Sequence, residues 1–133
     1  MDLKKLANQY KDELLNNVLP FWLEHSQDHE FGGYFTCLDR EGNVFDTDKF
    51  IWLQGREVWL FSMLYNKVEK KQEWLDCAIQ GGEFLKKYGH DGNYHWYFSL
   101  DRVLEIPIIL GGKLTFCILF IPTRIIRYVS FSR

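Results

Sequence analysis

From the first residues, apolar side chains recur at steps of three or four: Leu3, Leu6, Tyr10, Leu14, Val18, Phe21 and Trp22, with Lys, Asp, Glu and Asn between them. That spacing predicts an amphipathic helix over residues 2–24, bent near its end by Pro20. The polar run His25-Ser-Gln-Asp-His-Glu-Phe-Gly-Gly33 then breaks the pattern. Strand formers in Tyr34-Phe-Thr-Cys-Leu38, a turn in Asp39-Arg-Glu-Gly42 and a short return in Asn43-Val-Phe45 predict a β-hairpin. Asp46-Thr-Asp48 offers N-cap chemistry for a second helix over 49–69. Its many large apolar residues, among them Ile51, Trp52, Val58, Trp59, Phe61 and Leu64, leave little polar surface, so an inner, well-buried helix is expected. A third helix is predicted over 71–88. Gly81-Gly82 inside it costs on the order of 1 kcal/mol per glycine against alanine, which close packing against a neighbouring helix would justify.

After Gly89-His-Asp-Gly92 a second strand-like run begins, Tyr94-His-Trp-Tyr-Phe-Ser-Leu100, and here the chain repeats itself. Tyr34-Phe35-Thr36-Cys37-Leu38-Asp39-Arg40 is echoed, one residue shorter, by Tyr97-Phe98-Ser99-Leu100-Asp101-Arg102, and the two Leu-Asp-Arg triplets lie 62 residues apart. A period that holds two helices and a hairpin is what a toroid of helical hairpins produces. The repeat fails after Arg102, where Val103-Leu104-Glu105-Ile106-Pro107 replaces Glu41-Gly42-Asn43. The chain therefore divides into 1–102 and a divergent apolar and basic tail, 103–133. As a membrane span the tail is too short, because Lys113 and Arg124 bracket only ten uncharged residues. As a surface-active segment it lacks a helical period. Non-native, out-of-frame sequence best accounts for the simultaneous loss of acids, pattern and repeat.

Charge sharpens that boundary. The net charge of −2 gives no reason to expect nucleic acid, but the average hides an asymmetry. All 18 acids fall at or before Glu105, with 12 basic residues beside them, whereas the remainder carries Lys113, Arg124, Arg127 and Arg133 and no acid. With 47% hydrophobic residues the chain has the composition of one globular domain, and its 5 Trp, 7 Tyr and 11 Phe suit a core or a carbohydrate-binding cleft. Cys37, Cys77 and Cys117 form no C-x-x-C pair and are expected as buried free thiols, which suits a reducing compartment. The start, Met-Asp-Leu-Lys-Lys, lacks the apolar core of a signal peptide, so the cytoplasm is the expected location.

The chain contains no P-loop, no G-x-G-x-x-G, no H-E-x-x-H and no G-x-S-x-G. His25 and His29, four apart, fall in a loop rather than on a helix face, and neither they nor His90 and His95 show a metal-ligand arrangement. Asp28 and Glu30 are expected to be solvated. Arg56 stands apart. It lies in the most apolar helix with Trp52 at i−4 and Trp59 at i+3, so its charge must be paired or must face a polar cavity. A structural ion pair and a ligand contact are both open on this pattern.

Five blocks, in order, carry a resemblance: His25-Ser-Gln-Asp-His-Glu-Phe-Gly-Gly-Tyr-Phe-Thr-Cys-Leu-Asp-Arg-Glu-Gly, Asp46-Thr-Asp-Lys, Ile51-Trp-Leu-Gln-Gly-Arg-Glu-Val-Trp59, Gly81-Gly-Glu-Phe-Leu85 and Tyr97-Phe-Ser-Leu-Asp-Arg102. Together they resemble the start of the N-acylglucosamine 2-epimerases, the renin-binding proteins. The resemblance implies an all-α fold, part of an (α/α)6 barrel with short β-hairpins between helices. It implies an isomerase that opens the ring of a sugar such as N-acetylmannosamine, removes the C2 proton and returns it on the other face, with no cofactor. Arg56 matches the family arginine that contacts substrate, Trp52 a pocket-lining ring, and Tyr97 a tyrosine near the sugar. The family's catalytic histidine pair lies in a part of a much longer chain to which nothing here corresponds, so these 133 residues alone are expected to be inactive. The implied partner is the small-molecule sugar, with a homodimer possible for full-length members. The alternative is a fragment of the same fold that binds carbohydrate or protein without chemistry.

Overall fold

The computed structural model describes residues 2–93 and 95–104. The first helical run starts at Asp2, whose carboxylate accepts the N–H groups of Lys4 and Lys5. It comprises α1 (Leu3–Glu13), a wider π-helical turn (Leu14–Val18) and α2 (Leu19–His25). The π turn falls where Pro20 would otherwise clash with the carbonyl four residues before it, and it opens the ring so that the Leu19 N–H reaches Leu14 instead. Only from Leu14 onward does the predicted apolar stripe meet the core; Leu3 and Tyr10 are exposed.

The hairpin forms as expected, β1 (Cys37–Leu38) pairing antiparallel with β2 (Val44–Asp46). The Asp46-Thr-Asp48 cap does not form. The chain stays extended through β3 (Lys49–Phe50), which pairs with β4 (Ser99–Leu100), and α3 (Ile51–Lys67) begins without a side-chain cap. Its first free N–H, on Ile51, donates instead to the Phe98 carbonyl at 2.9 Å. A strand pairing from fifty residues away has displaced a local cap.

Helices α3 and α4 (Gln72–Tyr88) pack against each other around Ile51, Val58, Phe61, Leu64, Trp74, Ala78 and Leu85. The glycine pair does not serve a neighbouring helix. A Cβ on Gly81 would lie 2.2 Å from the Tyr34 hydroxyl oxygen of the preceding loop, while one on Gly82 would meet nothing within 4 Å. Cys77 is buried and Cys37 half-buried, both free; Cys117 lies outside the described residues.

The internal repeat is structural and has a sharper register than the lettering suggests. Ser26 and Gly89 each follow a helix and donate back to it, to Trp22 and Leu85, both at 3.0 Å. Their carbonyls then accept the N–H of Phe35 (2.6 Å) and Tyr97 (3.0 Å). Within each loop an aspartate N–H closes the turn, Asp28 to Gly33 and Asp91 to His95. Phe35 therefore corresponds to Tyr97, and the missing residue falls inside the second loop rather than in the strand. Even the following turn begins alike: Gly42 donates to Asp39 and Leu104 to Asp101, both at 3.2 Å. Gly42 has φ +87°, and Leu104, the residue in its place, has φ 67°.

Candidate functional site

Because β4 pins β3, the first turns of α3 are fixed by the second repeat. Trp52 and Arg56 project from those turns. The Arg56 guanidinium carbon stands 4.8 Å from the centre of the Trp52 ring, which at an exposed site is worth about 0.5–1 kcal/mol. The expectation of an inner helix with little open surface fails at this face: Arg56 is exposed, as is Trp59 at 50%. Ile51, Gln54, Gly55, Val58, Phe61 and Ser62 form the buried stripe, so Trp52, Arg56 and Trp59 occupy the face turned away from α4. Among the described residues, no carboxylate lies within ion-pair distance of Arg56. Tyr97 is half-buried against the hydrophobic core, and among the described residues no ring contact or hydrogen bond joins it to Trp52 or Arg56. The structure thus brings two of the three expected site residues together.

Before the start of α3 lies an ionic cluster that local pattern did not reveal. Asp28, expected to be solvated, is 1% exposed, and Lys49, expected at a helix start, is fully buried. Lys49 Nζ donates to Asp28 Oδ2 at 2.8 Å and also to the Gly32 carbonyl. Arg102 Nε reaches the same carboxylate oxygen at 3.2 Å, its Nη2 donates to Glu30 at 2.8 Å, and its guanidinium lies over Phe31 and Phe35. Burial alone would raise the Asp28 carboxyl; the two cations outweigh it and hold the group at about 2. Lys49 moves the other way: loss of hydration lowers it despite Asp28. The cluster joins the first loop, β3 and the turn that follows β4, and so fixes the strand pair from which α3 starts.

Gln54 completes that setting. Its amide accepts the Tyr34 N–H and donates to the Tyr34 carbonyl, both at 2.8 Å, while the Tyr34 hydroxyl donates to the Cys77 carbonyl at 2.6 Å. A Cβ on Gly33, at φ +71°, would stand 2.7 Å from the Gln54 oxygen, so this position also requires glycine.

Glu57 is a carboxylate on α3 with no charged partner among the described residues. It turns inward, where its Oε1 accepts the buried Ser26 hydroxyl at 2.5 Å and Tyr34 and Cys77 are its titratable neighbours. Burial pushes its carboxyl up to about 8, against the Ser26 hydrogen bond. A carboxyl raised from an ordinary 4.5 stabilises the fold fully below that value and loses its contribution as pH rises through about 8. Glu57→Gln keeps the acceptor without the ionisation, so the stability decline measured by urea unfolding between pH 5 and 9 is expected to flatten in that variant. An unchanged slope would assign the decline elsewhere. The Cys77 thiol is pushed up to about 12, first by burial and then by Glu57, and is inert as a nucleophile at neutral pH.

The histidines take minor parts. His25 ends α2, stacks on Phe21 at 4.9 Å and lies under Gly42. His95 does have a carboxylate partner, Asp91 at 2.9 Å, brought to it by the turn at Gly92 (φ +84°). No group of three or more His, Cys, Asp or Glu able to hold a metal occurs among the described residues, and no helix there is long and apolar enough to cross a membrane.

A mostly helical hairpin repeat that presents an arginine stacked on tryptophan at an open helix face is the class defined so far. Comparison with known proteins makes it specific. Residues 33–106 match the family profile of N-acylglucosamine 2-epimerase (GlcNAc 2-epimerase), and the chain belongs to that family. It is 51% identical over 79 residues to N-acylglucosamine 2-epimerase of Mus musculus, a match covering 58% of this chain and 19% of the relative. It is 33% identical over 104 residues to cellobiose 2-epimerase of Dictyoglomus turgidum, covering 76% and 26%. Among solved structures, cellobiose 2-epimerase of Bacillus thermoamylovorans superposes with a TM-score of 0.66 at 31% identity, covering 75% of this chain and 26% of the other. That of Spirochaeta thermophila gives 0.79 at 21% identity over 98% and 32%, a likeness of fold. The matched stretch spans about a fifth of the length of the mammalian relatives.

Proposed function

We propose that the chain supplies one wall of the sugar site of a 2-epimerase built as an (α/α)6 barrel. The observation that carries this reading is the exposed Arg56 guanidinium, stacked on Trp52 and free of any carboxylate among the described residues, on the α3 face turned away from α4. A guanidinium so placed can donate two parallel hydrogen bonds to sugar oxygens. Epimerisation at C2 of an open-chain sugar removes a proton beside the carbonyl. Negative charge then gathers on the carbonyl oxygen, and a fixed cation lowers the barrier by meeting it there. Trp52 holds the guanidinium plane and offers an apolar edge to the sugar. The groups that move the proton are a histidine pair outside these 133 residues, and the substrate is an amino sugar of the N-acetylglucosamine and N-acetylmannosamine type.

The repeat does not run on through the segment 103–133: its first turn still forms, but Leu104 is held there in the left-handed conformation that its counterpart Gly42 adopts freely, and the family match stops at residue 106. The rest of the tail lies outside the described residues.

Exchange of the C2 proton of N-acetylmannosamine in D2O tests the reading. No exchange is expected from these 133 residues alone. In a full-length relative, lysine at the Arg56 position is expected to lower kcat/KM about 100-fold, since an ammonium cannot reproduce the fork. Unchanged kinetics in that variant would remove Arg56 from the site.

A further inference from the structure

The chain holds a single Asp-Gly pair, Asp91-Gly92. In such a pair the glycine has no side chain to shield its amide nitrogen, so the carboxyl of the aspartate before it can approach closely. The Gly92 nitrogen and Asp91 Cγ then need one new bond to close a five-membered ring. Whether that bond forms in a folded loop depends on what surrounds the carboxyl and the N–H.

Around Asp91 each group the reaction needs is in place. Oδ1 accepts the N–H groups of Asn93 and His95, at 2.7 and 3.2 Å, which folds the carboxyl back across the Gly92 peptide and polarises it. The Gly92 N–H donates to His90 Nδ1 at 3.0 Å, so a base already meets the proton that must leave. Oδ2 lies 2.9 Å from His95 Nδ1, the proton source for a departing oxygen. The His95 hydrogen bond, above all, holds the carboxyl below the usual carboxylate range, so that proton comes from His95 rather than from the carboxyl itself. His90 is steadied by Trp96, whose ring centre is 5.0 Å away, and the Asp91 N–H closes the loop on the His95 carbonyl. Asp39 in the first hairpin turn supplies the contrast. Its Oδ1 also accepts two N–H groups, from Glu41 and Asn43, but Arg40 follows it and its Oδ2 accepts the Asn43 side-chain amide.

We infer that Asp91-Gly92 is a self-modification site, where the main chain migrates from the α- to the β-carboxyl of Asp91 through a cyclic imide, with His90 as base and His95 as acid. The Gly92 nitrogen gives its proton to His90 Nδ1 and bonds to Cγ, while an electron pair moves onto Oδ1 between its two N–H donors. Oδ2, protonated by His95, leaves as water with the proton that His90 relays. A water then adds to the α-carbonyl of the imide and breaks that carbon's bond to the Gly92 nitrogen, which regains a proton. The new α-carboxyl ionises and returns a proton to His95. The main chain now runs through Cγ, lengthened by one methylene, and no atom is gained or lost overall.

Trypsin frees residues 88–102 from the full chain, and electron-transfer fragmentation distinguishes isoaspartate from aspartate within that peptide. In chain aged at neutral pH, isoaspartate at position 91 is expected to accumulate about tenfold faster than in a synthetic 88–102 peptide kept in the same buffer. His90→Phe keeps a ring against Trp96 and loses the base. His95→Gln keeps a donor to Oδ2 that cannot give up its proton. Each substitution is expected to bring the rate down to that of the peptide. Circular dichroism checks that each variant is folded; should His90→Phe unfold, His95→Gln, at a side chain 74% exposed, carries the test alone. A folded chain no faster than the peptide, or a rate left unchanged by His95→Gln, would overturn the inference.

Discussion

Lys49→Met is expected to destabilise the protein by about 3–5 kcal/mol, the usual consequence of removing one member of a buried ion pair. Lys49 is fully buried and Asp28 1% exposed, so the carboxylate left behind cannot regain water. Arg102 remains at 3.2 Å but is itself 36% exposed, and it compensates in part. Two further measurements separate charge from packing. Asp28→Asn added to Lys49→Met is expected to recover part of the loss, because it removes the stranded charge. The pH response is expected to reverse as well. In the wild type Asp28 is held at about 2, so its contribution is present above an ordinary 3.8 and lost as pH falls toward about 2. Without Lys49, burial dominates and raises the carboxyl, so mild acid becomes stabilising. Urea unfolding at pH 4 and pH 7 reads both effects. If the double variant is no more stable than Lys49→Met, the loss came from packing around the lysine stem.

That cluster shows where local pattern ends. The stripe from Leu14 to Trp22, the hairpin around Gly42 and the helix over Gln72–Tyr88 follow from spacing, because each is decided by neighbours within a turn or two. Asp28 sits among His, Gln and Glu, a setting that reads as solvent-facing, and its partners stand 21 and 74 residues away. Nothing in the letters near Lys49 signals burial. The Asp46-Thr-Asp48 run instead suggested a cap, which lost to pairing with Ser99–Leu100. One signal was available: the second Leu-Asp-Arg triplet marked Arg102 as part of a repeating device, although not which aspartate it meets. For the candidate site, spacing correctly placed Trp52 and Arg56 one turn apart on one face. The abundance of large apolar residues on α3 then misled, because Trp59 and Trp52 were counted toward burial when they belong to the open side. A hydrophobic count cannot say which of two apolar faces this stretch of chain covers.

Gly81→Ala is expected to be the other large effect, a loss of about 2–4 kcal/mol in spite of a helix-propensity gain near 1 kcal/mol. The added methyl would stand 2.2 Å from the Tyr34 hydroxyl oxygen and 2.4 Å from two ring carbons. Such a clash is cheap when a side chain can swing aside, and Tyr34 cannot. Its backbone is held at both N–H and carbonyl by Gln54, its hydroxyl by the Cys77 carbonyl, and the residue is fully buried. To make room, α4 must retreat or the hydroxyl must leave its acceptor, stranding a buried donor. Gly82→Ala is the internal control: nothing lies within 4 Å of its Cβ, so the propensity gain alone should appear, about 0.5–1 kcal/mol of stabilisation. Adding Tyr34→Phe to Gly81→Ala is expected to recover little, because the ring carbons still clash. Opposite signs for the two adjacent alanines in urea unfolding would establish that the glycine pair divides its work, one position for contact and the other without steric need. Equal effects would mean that α4 shifts freely against the first loop, and that Tyr34 does not fix its position.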